Sequence, residues 1–174
     1  MRRGLIVAYG LTSYILFVIS VLWLIPFVGN VLVAKTVDIG PATPAAEAVV
    51  IDLFLILIFG VQHSGMARFA FKKRWTKIIS LTIERSTYVF LSSLLLFFLL
   101  WQWRPLPLTI WHVEQAGVSV FLSSLFWAAW LLEIITWIPP HLDLFGLKQA
   151  FLAERYVAPP GRLRYSIGMS VSFP

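Results

Sequence analysis

Apolar residues dominate four long stretches of the chain, and short polar segments separate them. The stretches are Leu5–Ile25, whose apolar pattern extends toward Ala34, then Ala45–Val61, Thr87–Trp103 and Val118–Ile138. A membrane-spanning helix needs roughly 17–25 mostly apolar residues, whereas a barrel strand needs about ten that alternate. The stretches are long and do not alternate. We therefore predict an all-α fold, an integral membrane bundle of about four transmembrane helices.

Composition supports a membrane protein and excludes several other classes. The 174 residues are 59% hydrophobic and 13% charged, whereas soluble domains have about 45–50% apolar and about 25% charged residues. Such a composition also excludes an intrinsically disordered chain. The chain has no cysteine, so it forms neither a disulfide scaffold nor a thiolate zinc site. Little mass is left for a domain outside the bilayer.

Arg2 and Arg3 before the amino-terminal apolar stretch also resemble the start of a secretory signal peptide. A cleaved signal has an apolar core of about 7–15 residues followed by a small-residue cleavage site. The apolar segment here is longer than that, and no convincing cleavage site follows it. We interpret it as the first membrane helix.

The basic residues predict the orientation of the chain in the membrane. Twelve of the 14 Lys and Arg residues fall at the amino end, in the connection after the second stretch, or in the tail, and only Lys35 and Arg104 fall on the other side. The positive-inside rule then places both termini in the cytoplasm of a multi-pass inner-membrane protein. Topology explains the net charge of +6, so we predict no nucleic-acid partner.

The connection between the second and third stretches has an amphipathic pattern. If residues 71–82 are helical, Phe71 and Trp75 share one face while Lys72, Lys73 and Lys77 lie toward the other. This pattern is typical of a helix that lies in the membrane interface. The alternative is a basic loop that only determines topology.

Five polar residues at the predicted cytoplasmic rim are the candidate site: His63, Glu84 and Arg85 as catalytic groups, and Gln62 and Asp143 as substrate-binding groups. The imidazole of His63 suits a general base or a hydrogen bond to a substrate. A single histidine at a helix end also serves as a capping or hydrogen-bonding residue. Both interpretations stay open on the sequence alone.

The start of the third stretch combines charges with helix-capping residues. Glu84 and Arg85 are adjacent and so cannot share a helical face, which predicts a separate partner for each. Glu84, Ser86 or Thr87 is expected to cap the helix.

Two acidic residues lie inside apolar stretches. Asp52 is near the outer end of the second and Glu133 toward the inner end of the fourth. Ionisable groups inside a membrane are functional candidates by default, but both lie close enough to an interface to reach water. The sequence shows no histidine cluster with metal-ligand spacing, so no metal is predicted.

Several short motifs follow one another in a recognisable order. They are Phe27-Val28-Gly29-Asn30, Gln62-His63-Ser64 with Met66-Ala67-Arg68, Trp75-Thr76, Glu84-Arg85-Ser86-Thr87-Tyr88-Val89, Trp101-Gln102-Trp103-Arg104-Pro105, and Asp143-Leu144-Phe145-Gly146-Leu147 with Gln149. Together they closely resemble the bacterial methanethiol S-methyltransferases. These membrane enzymes are related to isoprenylcysteine carboxyl methyltransferases and to NnrU-like proteins.

The resemblance implies transfer of a methyl group from S-adenosylmethionine to methanethiol, a small apolar thiol, which gives dimethyl sulfide. It covers residues 1–161, the predicted methyltransferase-like domain. Residues 162–174 diverge from the family, whose members continue into an Arg-His-Pro motif and further helices, so we expect a shortened chain without its donor-binding region. The alternative is a non-catalytic, NnrU-like accessory protein.

Overall fold

The computed structural model of the chain describes residues 2–106, 109, 112–137 and 145–152. Every regular element among them is a helix. In chain order they are α1 (Arg2–Val28), α2 (Ala45–Ala67), α3 (Phe69–Trp75), α4 (Glu84–Gln102), α5 (Ala116–Trp137) and α6 (Leu147–Leu152). By length and composition, α1, α2, α4 and α5 can each cross a membrane. The prediction of an all-α bundle with four membrane-spanning helices is confirmed.

Of the spanning helices, α1 and α2 exceed their predicted apolar stretches most. α1 begins at Arg2 and continues through Pro26 to Val28, and Asn30 then takes a left-handed backbone with φ of 54°. Such a residue commonly ends a helix. α2 continues six residues past the predicted end at Val61, because the polar side chains of its last turns find partners on α4.

The interfacial helix considered over residues 71–82 forms only in part, and its faces differ in part from the sequence pattern. α3 ends at Trp75, and turns occupy the residues that follow. Lys72 does not lie toward solvent but is buried, with 9% of its surface exposed. Its ammonium lies 3.9 Å from a carboxylate oxygen of Glu84. The ion pair draws Lys72 inward, which the alternation of charge and apolar residues could not show.

α1 and α4 form the centre of the fold and run parallel. Three contacts along their length establish the register: the Tyr9 hydroxyl donates to Thr87 Oγ1 at 3.2 Å, the rings of Trp23 and Phe97 meet, and the rings of Phe27 and Trp103 meet edge to face. α2 packs against α4 in the antiparallel direction. α4 therefore packs against two spanning helices, α1 in the parallel direction and α2 in the antiparallel direction.

The short helix α6 packs on α1 and on the start of α4. Gly10 of α1 lies so close to Ala150 that a Cβ at position 10 would come within 2.7 Å of the alanine Cβ. Gly146, with φ of +79°, lies against Ser86, and a Cβ there would come within 2.8 Å of the Ser86 nitrogen. Glycine is required at both positions, because any side chain would separate the helices.

α5 is packed differently from the other spanning helices. None of its 22 residues is buried. It reaches α1 through aromatic contacts: the Trp137 ring meets Phe17 edge to face, and the Trp127 ring lies against Gly29. These two contacts show that α5 runs antiparallel to α1, and a cavity separates it from the centre of the bundle.

One end of the bundle is called the basic end here. It is the end at which α1 and α4 begin, α2 ends, and α3 carries Lys72, Lys73 and Arg74. Large apolar side chains along the spanning helices are exposed on the outer surface, among them Leu22, Leu53, Phe54, Leu57, Phe121 and Leu132. A surface of this kind requires an apolar solvent. The chain is a multi-pass membrane protein.

At the opposite end, polar contacts tie α2, α4 and the α1–α2 connection together. Asp52 accepts a hydrogen bond from the Arg104 backbone N–H at 2.9 Å, and Lys35 Nζ donates to the carbonyl oxygen of Trp101. Burial and the nearby Arg104 cation lower the pKa of the Lys35 ammonium, which the Asp52 carboxylate partly offsets. Only 6% of Asp52 is exposed, so the expectation that it reaches water is wrong.

Candidate functional site

A partly open cavity of about 750 Å³ lies between α1, α2, α4 and α5. Each helix contributes residues at helical spacing, three or four positions apart. α1 supplies Phe17, Ser20, Val21 and Leu24, all on one face. Because such residues form one stripe of a helix, the cavity follows the helix axes. Its walls are mostly aliphatic and aromatic.

The polar side of the cavity comes from α4. Arg85, Tyr88 and Ser92 lie on its cavity face, with Ser93 and the apolar Leu96 farther from the basic end. This face starts in the first turn of the helix, where exposed backbone N–H groups favour nearby negative charge. Arg85 adds a guanidinium, so the α4 start is an electropositive end of the cavity.

His63 faces Tyr88 across the cavity. The Tyr88 hydroxyl oxygen lies 3.1 Å from Nδ1 and 3.2 Å from Nε2 of the imidazole, within hydrogen-bond distance of either nitrogen. The imidazole also stacks on Phe59 one turn earlier, with ring centroids 5.4 Å apart. These contacts hold the ring in place. When the N–H nitrogen of the neutral imidazole donates to the Tyr88 oxygen, the other nitrogen is unprotonated and can receive a proton.

Gln62 lies next to His63 on α2. Its side chain makes contacts between and within helices and is not part of the described cavity wall. Its Oε1 accepts a hydrogen bond from Ser92 Oγ at 3.2 Å, and its Nε2 contacts the Met66 sulfur at 3.1 Å. The first bond joins α2 to α4 one turn beyond Tyr88. Gln62 therefore sets the register in which His63 meets Tyr88.

The segment from Phe145 to Gln149 holds the start of α4 and borders the cavity. Gln149 of α6 accepts a hydrogen bond from the Arg85 backbone N–H at 3.4 Å, and Phe145 stacks on Phe17 at 4.2 Å to close the cavity. The residue before the helix is Ile83, which offers no capping side chain. The expected cap by Glu84, Ser86 or Thr87 is wrong, because the fold supplies an acceptor from a distant helix instead.

Glu84 points its carboxylate to Lys72 of α3, and both residues are buried. The expectation that Glu84 has its own charged partner is confirmed. Burial lowers the pKa of the Lys72 ammonium, the Glu84 carboxylate raises it in part, and Arg85 lowers it further. The pair fastens α3 to the start of α4, next to the residue that lines the cavity.

Among the described residues that line the cavity, Glu133 is the one that carries a carboxylate. Its Oε1 accepts a hydrogen bond from Trp137 Nε1 at 3.0 Å, one turn later on α5. The register with α1 places Glu133 farther from the basic end than His63 and Tyr88, because Trp137 already lies level with Phe17.

The structure brings two predicted site residues, His63 and Arg85, to one cavity. Gln62 supports that cavity, and Glu84 pairs with Lys72 at its edge. Asp143 lies outside the described residues. Tyr88 was missed as a site residue, although its position three residues after Arg85 on the same helical face was a readable signal.

S-adenosylmethionine carries a sulfonium, an ammonium, a carboxylate and an adenine, and each of these needs a polar partner when buried. Among the described wall residues, Glu133 could face a cation and Arg85 an anion. The remaining polar wall groups are the His63 imidazole and the hydroxyls of Ser20, Tyr88, Ser92 and Ser93, too few for all the polar groups of the donor, and the rest of the wall is apolar. The described residues therefore do not fit the whole donor. They fit an apolar molecule with a small polar group.

These features define a class: a helical, multi-pass membrane protein with an apolar cavity whose polar end holds an imidazole, a phenol and a guanidinium. Comparison with known proteins shows which members of this class the chain is similar to. The chain is 46% identical over 156 residues to the methanethiol S-methyltransferase of Mycobacterium tuberculosis, which covers 89% of this chain and 64% of the relative. It is 45% identical over 155 residues to methanethiol S-methyltransferase 2 of Bradyrhizobium diazoefficiens, covering 88% and 59%.

The resemblance to methanethiol S-methyltransferases is thus confirmed. The chain spans about three fifths of the length of these two relatives. A more distant similarity, 29% over 110 residues, joins it to nurim of Rattus norvegicus, covering 58% of this chain and 40% of nurim. No protein-family model matches the chain, and no solved structure matches it.

Proposed function

We propose that the protein is a membrane S-methyltransferase that methylates the sulfur of methanethiol to give dimethyl sulfide. The observation that carries the proposal is the His63–Tyr88 pair, placed beside Arg85 at the polar end of an apolar cavity. The names of the similar proteins support this reaction. They give no support to a non-catalytic accessory role.

The described residues suit the activation of a thiol. A thiolate is the nucleophilic form of sulfur. His63 accepts the S–H proton on its unprotonated ring nitrogen while its N–H donates to the Tyr88 oxygen, and the Arg85 guanidinium stabilises the resulting negative sulfur. Apolar walls exclude water, which strengthens these charge interactions and holds the small thiol in one place.

The methyl donor implied by the resemblance is S-adenosylmethionine. When bound, it supplies a methyl group on a positive sulfur. Because the described wall does not match the donor's polar groups, we propose that residues of this chain outside the described ranges complete the donor site.

We further propose that the basic end faces the cytoplasm of the inner membrane, with both termini on that side. The positive-inside rule supports this orientation. The cavity would then receive an apolar thiol from the bilayer and a charged donor from the cytoplasm.

The test is methyl transfer by the chain in lipid nanodiscs. Methanethiol and S-adenosylmethionine with a deuterated methyl group are supplied, and the headspace is followed by mass spectrometry. We expect dimethyl sulfide that carries one labelled methyl group. Folded protein, judged by its helical circular dichroism, that forms none of this product would refute the activity for this chain.

A further inference from the structure

The cavity is far larger than methanethiol requires. It measures about 750 Å³, whereas a thiol of two heavy atoms fills on the order of 60 Å³ if each takes the volume of one water. Pockets of roughly 300–1,000 Å³ hold drug-sized ligands. Methanethiol alone would leave most of this volume empty, and the described wall does not match the polar groups of the methyl donor.

The positions of the polar and apolar wall residues indicate which kind of molecule fits the rest of the cavity. Arg85, Tyr88 and His63 lie toward the basic end, and the walls beyond them include Leu24 and Leu96. Arg85 and Leu96 are eleven positions apart on α4, which corresponds to about 16 Å along the helix axis. The cavity is therefore long, with its thiol-activating groups near one end and mostly apolar side chains farther in, where the Glu133 carboxylate accepts a hydrogen bond from Trp137.

We infer that the cavity takes thiols with a long apolar substituent, with the sulfur beside His63 and Tyr88 and the hydrocarbon chain directed toward Leu24, Leu96 and Ala129. This substrate class rests on the proposed function, which supplies the sulfur chemistry. A long-chain thiol dissolves in the bilayer and enters through the open side of the cavity.

The occupant is a thiol rather than a lipid chain because of the polar end. A thiol brings one small group that both donates a proton and becomes negative, which suits an imidazole, a phenol and a guanidinium together. A plain hydrocarbon chain leaves these groups without a new partner.

α5 offers a matched pair of variants. Ala129 lines the cavity, and the adjacent Ala128 is exposed on α5 but is not part of the cavity wall. Ala129→Phe adds a ring inside the apolar part, whereas Ala128→Phe adds the same ring on another face of the helix. Neither change adds a tryptophan, so the intrinsic fluorescence of the two proteins stays comparable.

The first measurement is binding, which needs no methyl donor. Wild-type protein in nanodiscs is titrated with 11-bromo-1-undecanethiol or with 1-bromododecane, and bromine quenching of tryptophan fluorescence reports occupancy near Trp130 and Trp137 of the wall. The chain has no cysteine to react with the thiol. We expect the thiol to bind about fivefold more tightly than the bromoalkane, the worth of one hydrogen bond.

We expect Ala129→Phe to weaken binding of the thiol by about tenfold and Ala128→Phe to leave it unchanged within about twofold. Equal quenching by the two bromo compounds would show a lipid-chain cavity and overturn the inference. Equal binding by the two phenylalanine variants would overturn it as well.

The second measurement separates this inference from the proposed function. Methyl transfer is compared with methanethiol and with 1-octanethiol. If the chain methylates neither thiol but binds the bromo-thiol selectively, the proposed function fails and the inference stands. If it methylates methanethiol but neither binds nor methylates the long thiols, the function stands and the inference is overturned.

Discussion

At the scale of single residues, the pairing of Tyr88 with His63 is the contact on which the proposed chemistry depends. The phenol oxygen lies at 3.1 and 3.2 Å from the two imidazole nitrogens. Sequence reasoning identified His63 by its position at a helix end but not Tyr88. The identity of a partner on another helix depends on the register between α2 and α4, which apolar patterns do not specify.

Replacing Tyr88 by phenylalanine measures what its hydroxyl contributes to the rate of thiol methylation. We expect Tyr88→Phe to lower kcat/KM for thiol methylation about tenfold, because the imidazole loses the hydrogen bond that orients it. Tyr14→Phe is the control, since the Tyr14 ring packs on Phe145 and keeps that contact as phenylalanine. Steady-state product formation in nanodiscs measures both variants. Equal rates for the two would remove Tyr88 from the mechanism.

The buried pair of Lys72 and Glu84 allows a prediction about stability. Lys72→Met leaves a buried carboxylate with one cation fewer, so we expect a loss of roughly 2–4 kcal/mol. The double variant Lys72→Met with Glu84→Gln should lose less than the sum of the two single changes, because the two sites are coupled. Thermal unfolding in detergent, followed by circular dichroism, completes the cycle. Additive losses would show that the 3.9 Å contact carries no coupling.

At the scale of helices, the sequence predicted the spanning elements well and the short ones poorly. Long apolar stretches identify a spanning helix whatever it packs against, so all four were found, although α2 continues six residues past its predicted end. The extent of α3 and the burial of Lys72 depend on the start of α4, which is near only in the fold. The hydrogen bond that Gln149 of α6 accepts from the Arg85 backbone N–H likewise joins segments that are distant in sequence.

The docking of α6 gives a prediction at this scale. Gly146→Ala forces a left-handed alanine against the Ser86 backbone, so we expect a loss of at least about 1–2 kcal/mol. Gly60→Ala is the matched control: nothing lies within 4 Å of the added carbon in the middle of α2, and alanine favours the helix by up to about 1 kcal/mol. Thermal unfolding should move in opposite directions for the two variants. A Gly146→Ala protein as stable as wild type would contradict the close packing.

At the scale of the whole molecule, the four spans and the distribution of charge predict one topology. The absence of cysteine makes this simple to test by single substitutions. Ile39→Cys lies in the connection after α1 and Lys77→Cys in the connection after α3, and both positions are exposed. In intact cells, a membrane-impermeant maleimide should label the first and should label the second only after the membrane is opened. The reverse pattern would place the basic end outside.

The central claim is that the cavity at the basic end is the site of thiol activation, and one comparison of variants tests it most directly. His63→Gln and His112→Gln remove the same chemical group, the first at the cavity and the second in the connection before α5. The measurement is the rate of dimethyl sulfide formation in nanodiscs at matched folded protein. We predict a loss of about 100-fold or more for His63→Gln, as expected for a general base, and the wild-type rate for His112→Gln. Equal rates for the two variants would contradict the account.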